Sequence, residues 1–84
     1  MKTLTVQVRS EEGFDARGVA LLVQEASRFE SKIRISDGPR SMNAKSLMGM
    51  MALGIADGDE VVIKASGEDE EEAAAVLAEF LEGK

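Results

Sequence analysis

The alternation of polar and apolar residues at positions 3–8 most constrains the fold of this chain, because it predicts a strand with one buried face. The same alternation returns at 32–36. A turn containing glycine and proline at 37–39 leads to a short returning strand at 40–43, so these two strands are expected to form a hairpin. A further strand is predicted at 60–66.

Helical spacing appears between and after these strands. The first helix is expected to begin at Asp15 or Ala16 and to end near Ser27. Its apolar stripe comprises Val19, Ala20, Leu22, Val23 and Ala26. Two further helices are predicted at 47–53 and 73–81. The order β-α-β-β-α-β-α predicts an α+β open-faced β-sandwich, in which three helices cover one face of a four-stranded antiparallel sheet, and we interpret 1–84 as a single domain.

Four residue types are missing from the chain: histidine, cysteine, tyrosine and tryptophan. Their absence excludes a Ser-His-Asp triad, a thiolate nucleophile and a histidine-bound zinc ion. Carboxylates, hydroxyls and lysines remain as groups that could carry chemistry. A chain without cysteine forms no disulfide, which favours a cytoplasmic location.

The net charge of −6 argues against direct nucleic-acid binding, which needs a basic footprint. The charge is uneven: residues 57–84 carry ten acids and two lysines, whereas residues 17–45 carry six bases and three acids. A locally basic face suits one acidic partner, although solvated surface charge explains the same pattern. We expect no membrane association, because the chain has neither a run of ~20 apolar residues nor a signal-peptide pattern.

Ser46 precedes an apolar helical run, so it is a good N-cap for the second helix. This structural role, which contributes about 0.5–2 kcal/mol, is sufficient to explain a serine there. A phosphate on its hydroxyl would lie close to free helix N–H groups, so the fold would tolerate phosphorylation. Lys45 would then either neutralise part of the added charge or remain solvated.

The second helix contains more large apolar side chains than one face can bury. At ~100° per residue, they divide between two sides of the helix. We expect Met50 and Leu53 to be buried, and Leu47, Met48 and Met51 to be at least partly exposed. Exposed methionines suit adaptable contacts with other proteins.

Three motifs in this order of elements resemble the HPr family, the small phosphocarriers of the bacterial phosphotransferase system. They are Gly13-Phe-Asp-Ala-Arg17, Asn43-Ala-Lys-Ser-Leu-Met-Gly49 and Gly67-Glu-Asp69. Members of this family carry a histidine where this chain has Asp15. Because phosphohistidine transfer needs an imidazole nucleophile, we do not expect this chain to be an ordinary phosphohistidine carrier.

The Crh subgroup of this family also lacks that histidine and is similar to this chain at 23–26 and 43–51, although it has an amide at the position of Asp15. The resemblance implies that HPr kinase/phosphorylase phosphorylates Ser46 and that the product acts as corepressor of a LacI-type catabolite-control repressor. The partner-binding residues that it implies are Arg17, Ala20, Lys45, Leu47, Met48 and Met51. It also raises the possibility of a homodimer, since exposed strand edges permit exchange of elements. Our interpretation of the chain as a regulatory protein includes no catalytic residue, no cofactor, no metal site and no enzymatic activity.

Asp15 leaves three interpretations open. It is a good helix N-cap; it is a fixed charge that partly imitates a phosphorylated side chain; or it accepts phosphate itself in an altered carrier. The last usually needs a divalent cation and further carboxylates, of which Glu11 and Glu12 are closest in sequence. A fourth alternative is an adaptor for a partner outside the sugar phosphotransferase system.

Overall fold

The computed structural model describes residues 1–10 and 15–83, and it confirms the predicted α+β architecture. The elements in chain order are β1 (Lys2–Gln7), α1 (Ala16–Ser27), β2 (Lys32–Asp37), β3 (Arg40–Asn43), α2 (Leu47–Leu53), β4 (Glu60–Ser66) and α3 (Glu70–Leu81). The four strands form one antiparallel sheet in the order β1-β4-β2-β3. Within residues 1–10 and 15–83, no helix has the length and hydropathy needed to cross a bilayer.

One hydrophobic core joins the sheet to the helices. Alternate residues of the strands point into it, as the sequence pattern predicts. The side chains that are fully buried include Ile33, Ile35, Val61 and Ile63 from the strands and Leu22, Met50, Leu77 and Leu81 from the helices. Phe29, just after α1, is also buried in this core.

The predicted apolar stripe of α1 was wrong at Ala20, which is exposed. The buried residues of this helix are Val19, Leu22 and Ala26, whose spacing of three and four defines a narrower face. Ala20 follows Val19 by one residue, which rotates it by ~100° away from that face. The last helix also begins earlier than predicted, because Glu70 and the two acids after it form its first turn.

Asp69 ties the start of α3 to the loop before β2. Its carboxylate accepts hydrogen bonds from the backbone N–H of Glu30 at 2.9 Å, the backbone N–H of Ser31 at 3.0 Å and the Ser31 hydroxyl. The Ser31 hydroxyl is the main cause that lowers the pKa of Asp69, and the Glu30 N–H adds to it. The ionised carboxylate is therefore part of the folded structure.

We expect Asp69→Asn to lower the free energy of unfolding at neutral pH, because an amide turns a donor group toward some of these donors. The pKa of Asp69 is lower in the folded protein than its unfolded-state value near 3.8, so the ionised carboxylate stabilises the fold above that value. This stabilisation is lost as the pH falls through the folded-state pKa. The difference from wild type should thus shrink below about pH 4. Urea unfolding across this range measures it, with the exposed Glu68→Gln as control; a difference that does not change with pH contradicts the assignment.

Candidate functional site

Ser46 forms the N-cap of α2, which confirms the prediction from the sequence. Its backbone is extended, with φ −101° and ψ 115°, and its Oγ accepts a hydrogen bond from the Gly49 N–H at 3.0 Å. The residue is only partly buried, so it does not belong to the core. A Cβ added to Gly49 would lie 3.2 Å from both Cβ and Oγ of Ser46, which explains a glycine at this close approach.

The loop before Ser46 is held by backbone contacts. Asn43 Oδ1 accepts from the Lys45 N–H at 2.8 Å, and the Asn43 carbonyl accepts from the Ser46 N–H at 3.0 Å. Lys45 Nζ donates to the Phe29 carbonyl at 2.6 Å. The ammonium of Lys45 is therefore placed against the loop after α1, whereas the sequence suggested it as a neighbour for charge at Ser46.

The large apolar side chains of α2 divide between a buried face and an exposed face, as predicted. Met50 is 0% exposed and Leu53 is buried, whereas Met48 is 83% exposed. Leu47 and Met51 are about half exposed. The helix thus has one face in the core and another that offers sulfur and aliphatic groups to solvent.

Helix α1, which packs against α2, also carries exposed residues. Arg17, Ala20 and Leu21 are exposed, and their spacing of three and four places them on one face of α1. Leu21 was missed by the sequence analysis, although its offset from the buried stripe could have revealed it. We call six of the exposed residues of the two helices the helical surface: Arg17, Ala20, Leu21, Leu47, Met48 and Met51.

Asp15 is the N-cap of α1, as its first interpretation predicted. Its Oδ1 accepts from the Gly18 N–H at 2.9 Å, and its backbone carbonyl accepts from Val19 N–H at 2.9 Å. The residue is exposed. Glu11 and Glu12 lie outside the described residues, and the part of the chain that the structure describes contains no group of three or more side chains arranged to hold a metal ion.

Comparison with known proteins identifies the family of this chain. A family model described as the PTS HPr component phosphorylation site matches residues 2–83. The chain belongs to the HPr family. It is 46% identical to the HPr-like protein Crh of Bacillus subtilis (strain 168) over 77 residues, which are 92% of this chain and 91% of that protein. The family resemblance inferred from the three motifs is thus confirmed.

Solved structures of HPr-family proteins share the fold. The phosphocarrier protein HPr of Bacillus anthracis str. Ames is 42% identical, with a TM-score of 0.91 and 95% of each chain covered. Bacillus subtilis Crh is 43% identical, with a TM-score of 0.80, covering 100% of this chain and 97% of that one, and its structure is a domain-swapped dimer. Dimers are also known for HPr of Thermoanaerobacter tengcongensis. The chain is thus an HPr-like protein, a carrier or regulator rather than an enzyme in the ordinary sense.

Proposed function

We propose that this HPr-like protein is a regulator that HPr kinase/phosphorylase switches by phosphorylating Ser46. The phosphorylated form then acts as corepressor of a LacI-type catabolite-control repressor. The observation that carries the proposal is the position of Ser46: a partly buried serine at the start of a helix whose exposed side chains include Leu47, Met48 and Met51. The similarity to Crh supports the same role.

The chemistry of the chain favours a hydroxyl as the phosphate acceptor. A family member normally signals through an imidazole, and this chain contains no histidine. Phosphate on Ser46 adds about −1.5 to −2 charges beside Leu47 and Met48. The combined apolar and anionic surface then fits a partner that pairs a hydrophobic groove with cationic side chains.

Arg17 adds specificity to the helical surface in this proposal. Its side chain is exposed on α1, and a guanidinium binds a partner's carboxylate in a two-pronged geometry that lysine does not reproduce. Asp15, two residues earlier, serves as the cap of the same helix. The proposal places the protein in the cytoplasm with its kinase and allows a homodimer, as in the Crh relative.

Repressor binding tests the corepressor role. We expect the Ser46-phosphorylated protein to bind the purified repressor and Met48→Ala to weaken this binding about tenfold, because the change removes a large exposed side chain from the contact. Val62→Ala, on the opposite face of the sheet, should leave the affinity unchanged. Surface plasmon resonance at matched phosphate content measures both; equal affinity of the phosphorylated and unmodified proteins would exclude the corepressor role.

A further inference from the structure

The face of the sheet that points away from the helices carries concentrated positive charge. Lys32, Arg34 and Lys64 are exposed there, and we call them the sheet-face basic cluster. Arg34 is the register partner of Lys64 across β2 and β4, so the two residues lie opposite each other. Lys32 precedes Arg34 by two residues and therefore points to the same face.

Within residues 1–10 and 15–83, the sheet-face basic cluster forms no ion pair with a carboxylate. The two ion pairs among these residues, defined by a nitrogen–oxygen distance of 4.0 Å or less, join Met1 to Glu70 and Arg28 to Glu25. Glu60, the acid on the same face of β4, lies four residues before Lys64, about 13 Å along the strand. Like charges opposite each other on neighbouring strands destabilise a sheet. In a protein of net charge −6, an uncompensated basic cluster is expected where an anion binds.

A partly open cavity of about 240 Å³ adjoins the cluster, where β2 begins and β3 ends. Its lining residues are Lys32, Ile33, Arg34, Asn43 and Lys45. Three of these are cations and one is an amide, and no described acidic side chain is among them. Asn43 is the register partner of Arg34, which places the two residues side by side on neighbouring strands.

Two of the lining cations are held in place before any ligand arrives. Arg34 donates from Nε to Ser41 Oγ at 3.1 Å and from Nη2 to the Ser41 carbonyl at 2.9 Å, and its Nη1 takes no part in these bonds. Lys45 Nζ donates one proton to the Phe29 carbonyl, and an ammonium has three to give. Both side chains therefore keep N–H groups beyond those used in these bonds.

We propose that this cavity binds a small phosphate monoester through Lys32, Arg34 and Lys45. A guanidinium and two ammonium groups match a dianion with three acceptor oxygens. The volume of about 240 Å³ is below the ~300–1,000 Å³ of pockets for larger ligands, so it suits a phosphate on a small organic group. The site lies on the sheet rather than on the helical surface and does not depend on phosphorylation of Ser46.

The test titrates the unmodified ¹⁵N-labelled protein with glycerol 3-phosphate at low ionic strength, with glycerol as the uncharged probe. We expect saturable amide shifts around Lys32, Arg34 and Asn43 with the phosphate only. Lys32→Gln should weaken binding about tenfold, since it removes one charge-assisted contact. Lys32→Arg should retain it, and Arg9→Gln, which removes an exposed charge elsewhere, should leave it unchanged.

Several results would overturn the site. These are the absence of saturable shifts, shifts confined to α2, and equal weakening by Arg9→Gln and Lys32→Gln. A single-stranded oligonucleotide that binds the cluster where glycerol 3-phosphate does not would also overturn it. Among the residues that the structure describes, the Lys32 side chain takes part in no ion pair, and circular dichroism of Lys32→Gln checks that the variant is folded. If Lys32→Gln unfolds, two other results test the site: the amide shifts should disappear when salt is added, and Lys32→Arg should still show them. Shifts that persist in salt or are lost in Lys32→Arg would overturn the site.

Discussion

Replacing Gly67 by alanine is expected to lower the free energy of unfolding by about 2–5 kcal/mol. Gly67 has a φ of +155°, which residues with a side chain rarely adopt. A Cβ at this position would lie 2.6 Å from Ser31 Oγ and 2.7 Å from Ser31 Cα. Because the second contact is with backbone, rotation of a side chain cannot relieve it.

Gly38→Ala is the matched control for this prediction. Gly38 also has a positive φ, +63°, but an added Cβ would meet nothing within 4 Å. Gly38→Ala should lower the free energy of unfolding by only about 1 kcal/mol, because the positive φ is its only cost. Ser31→Ala in the Gly67→Ala background removes the contact with Oγ and keeps the one with Cα, so it should not restore stability. If urea unfolding gave equal losses of free energy for Gly67→Ala and Gly38→Ala, the close approach of Gly67 to Ser31 would be contradicted.

Met50→Ala is expected to lower the free energy of unfolding by about 2–5 kcal/mol, whereas Met48→Ala should change it by less than about 0.5 kcal/mol. The two residues lie in the same short helix and have the same chemistry. Met50 is 0% exposed and leaves a cavity in the core, while Met48 is 83% exposed and leaves none. Thermal or urea unfolding of both variants measures the difference. Similar losses for the two would mean that α2 packs with a different face.

Much of the fold could be predicted from the sequence because its signals are local. Alternation within a strand and spacing within a helix gave the element order, and the caps Asp15 and Ser46 were predictable from the residues that follow them. The division of the methionines followed from helical geometry alone. Ala20 was placed wrongly because a small apolar residue next to a buried stripe fits either side of its edge.

The rest depends on contacts between distant parts of the chain. The bonds of Asp69 to Ser31 join residues 38 positions apart, and no local pattern announces them. The opposition of Arg34 and Lys64 depends on the register of β2 against β4, which a strand pattern does not set. The position of the Lys45 ammonium could not be predicted either, because its acceptor is the backbone carbonyl of Phe29, 16 residues earlier.

The central claim is that Ser46 is the regulated acceptor of phosphate in a chain without histidine. Intact-mass spectrometry after incubation with purified HPr kinase/phosphorylase and ATP tests it most directly. The account predicts a single added phosphate on wild type, on Asp15→Asn and on the exposed-serine control Ser66→Ala, and none on Ser46→Ala. An unmodified wild-type chain, under conditions that phosphorylate a histidine-containing HPr, or a phosphate that persists in Ser46→Ala, would contradict it.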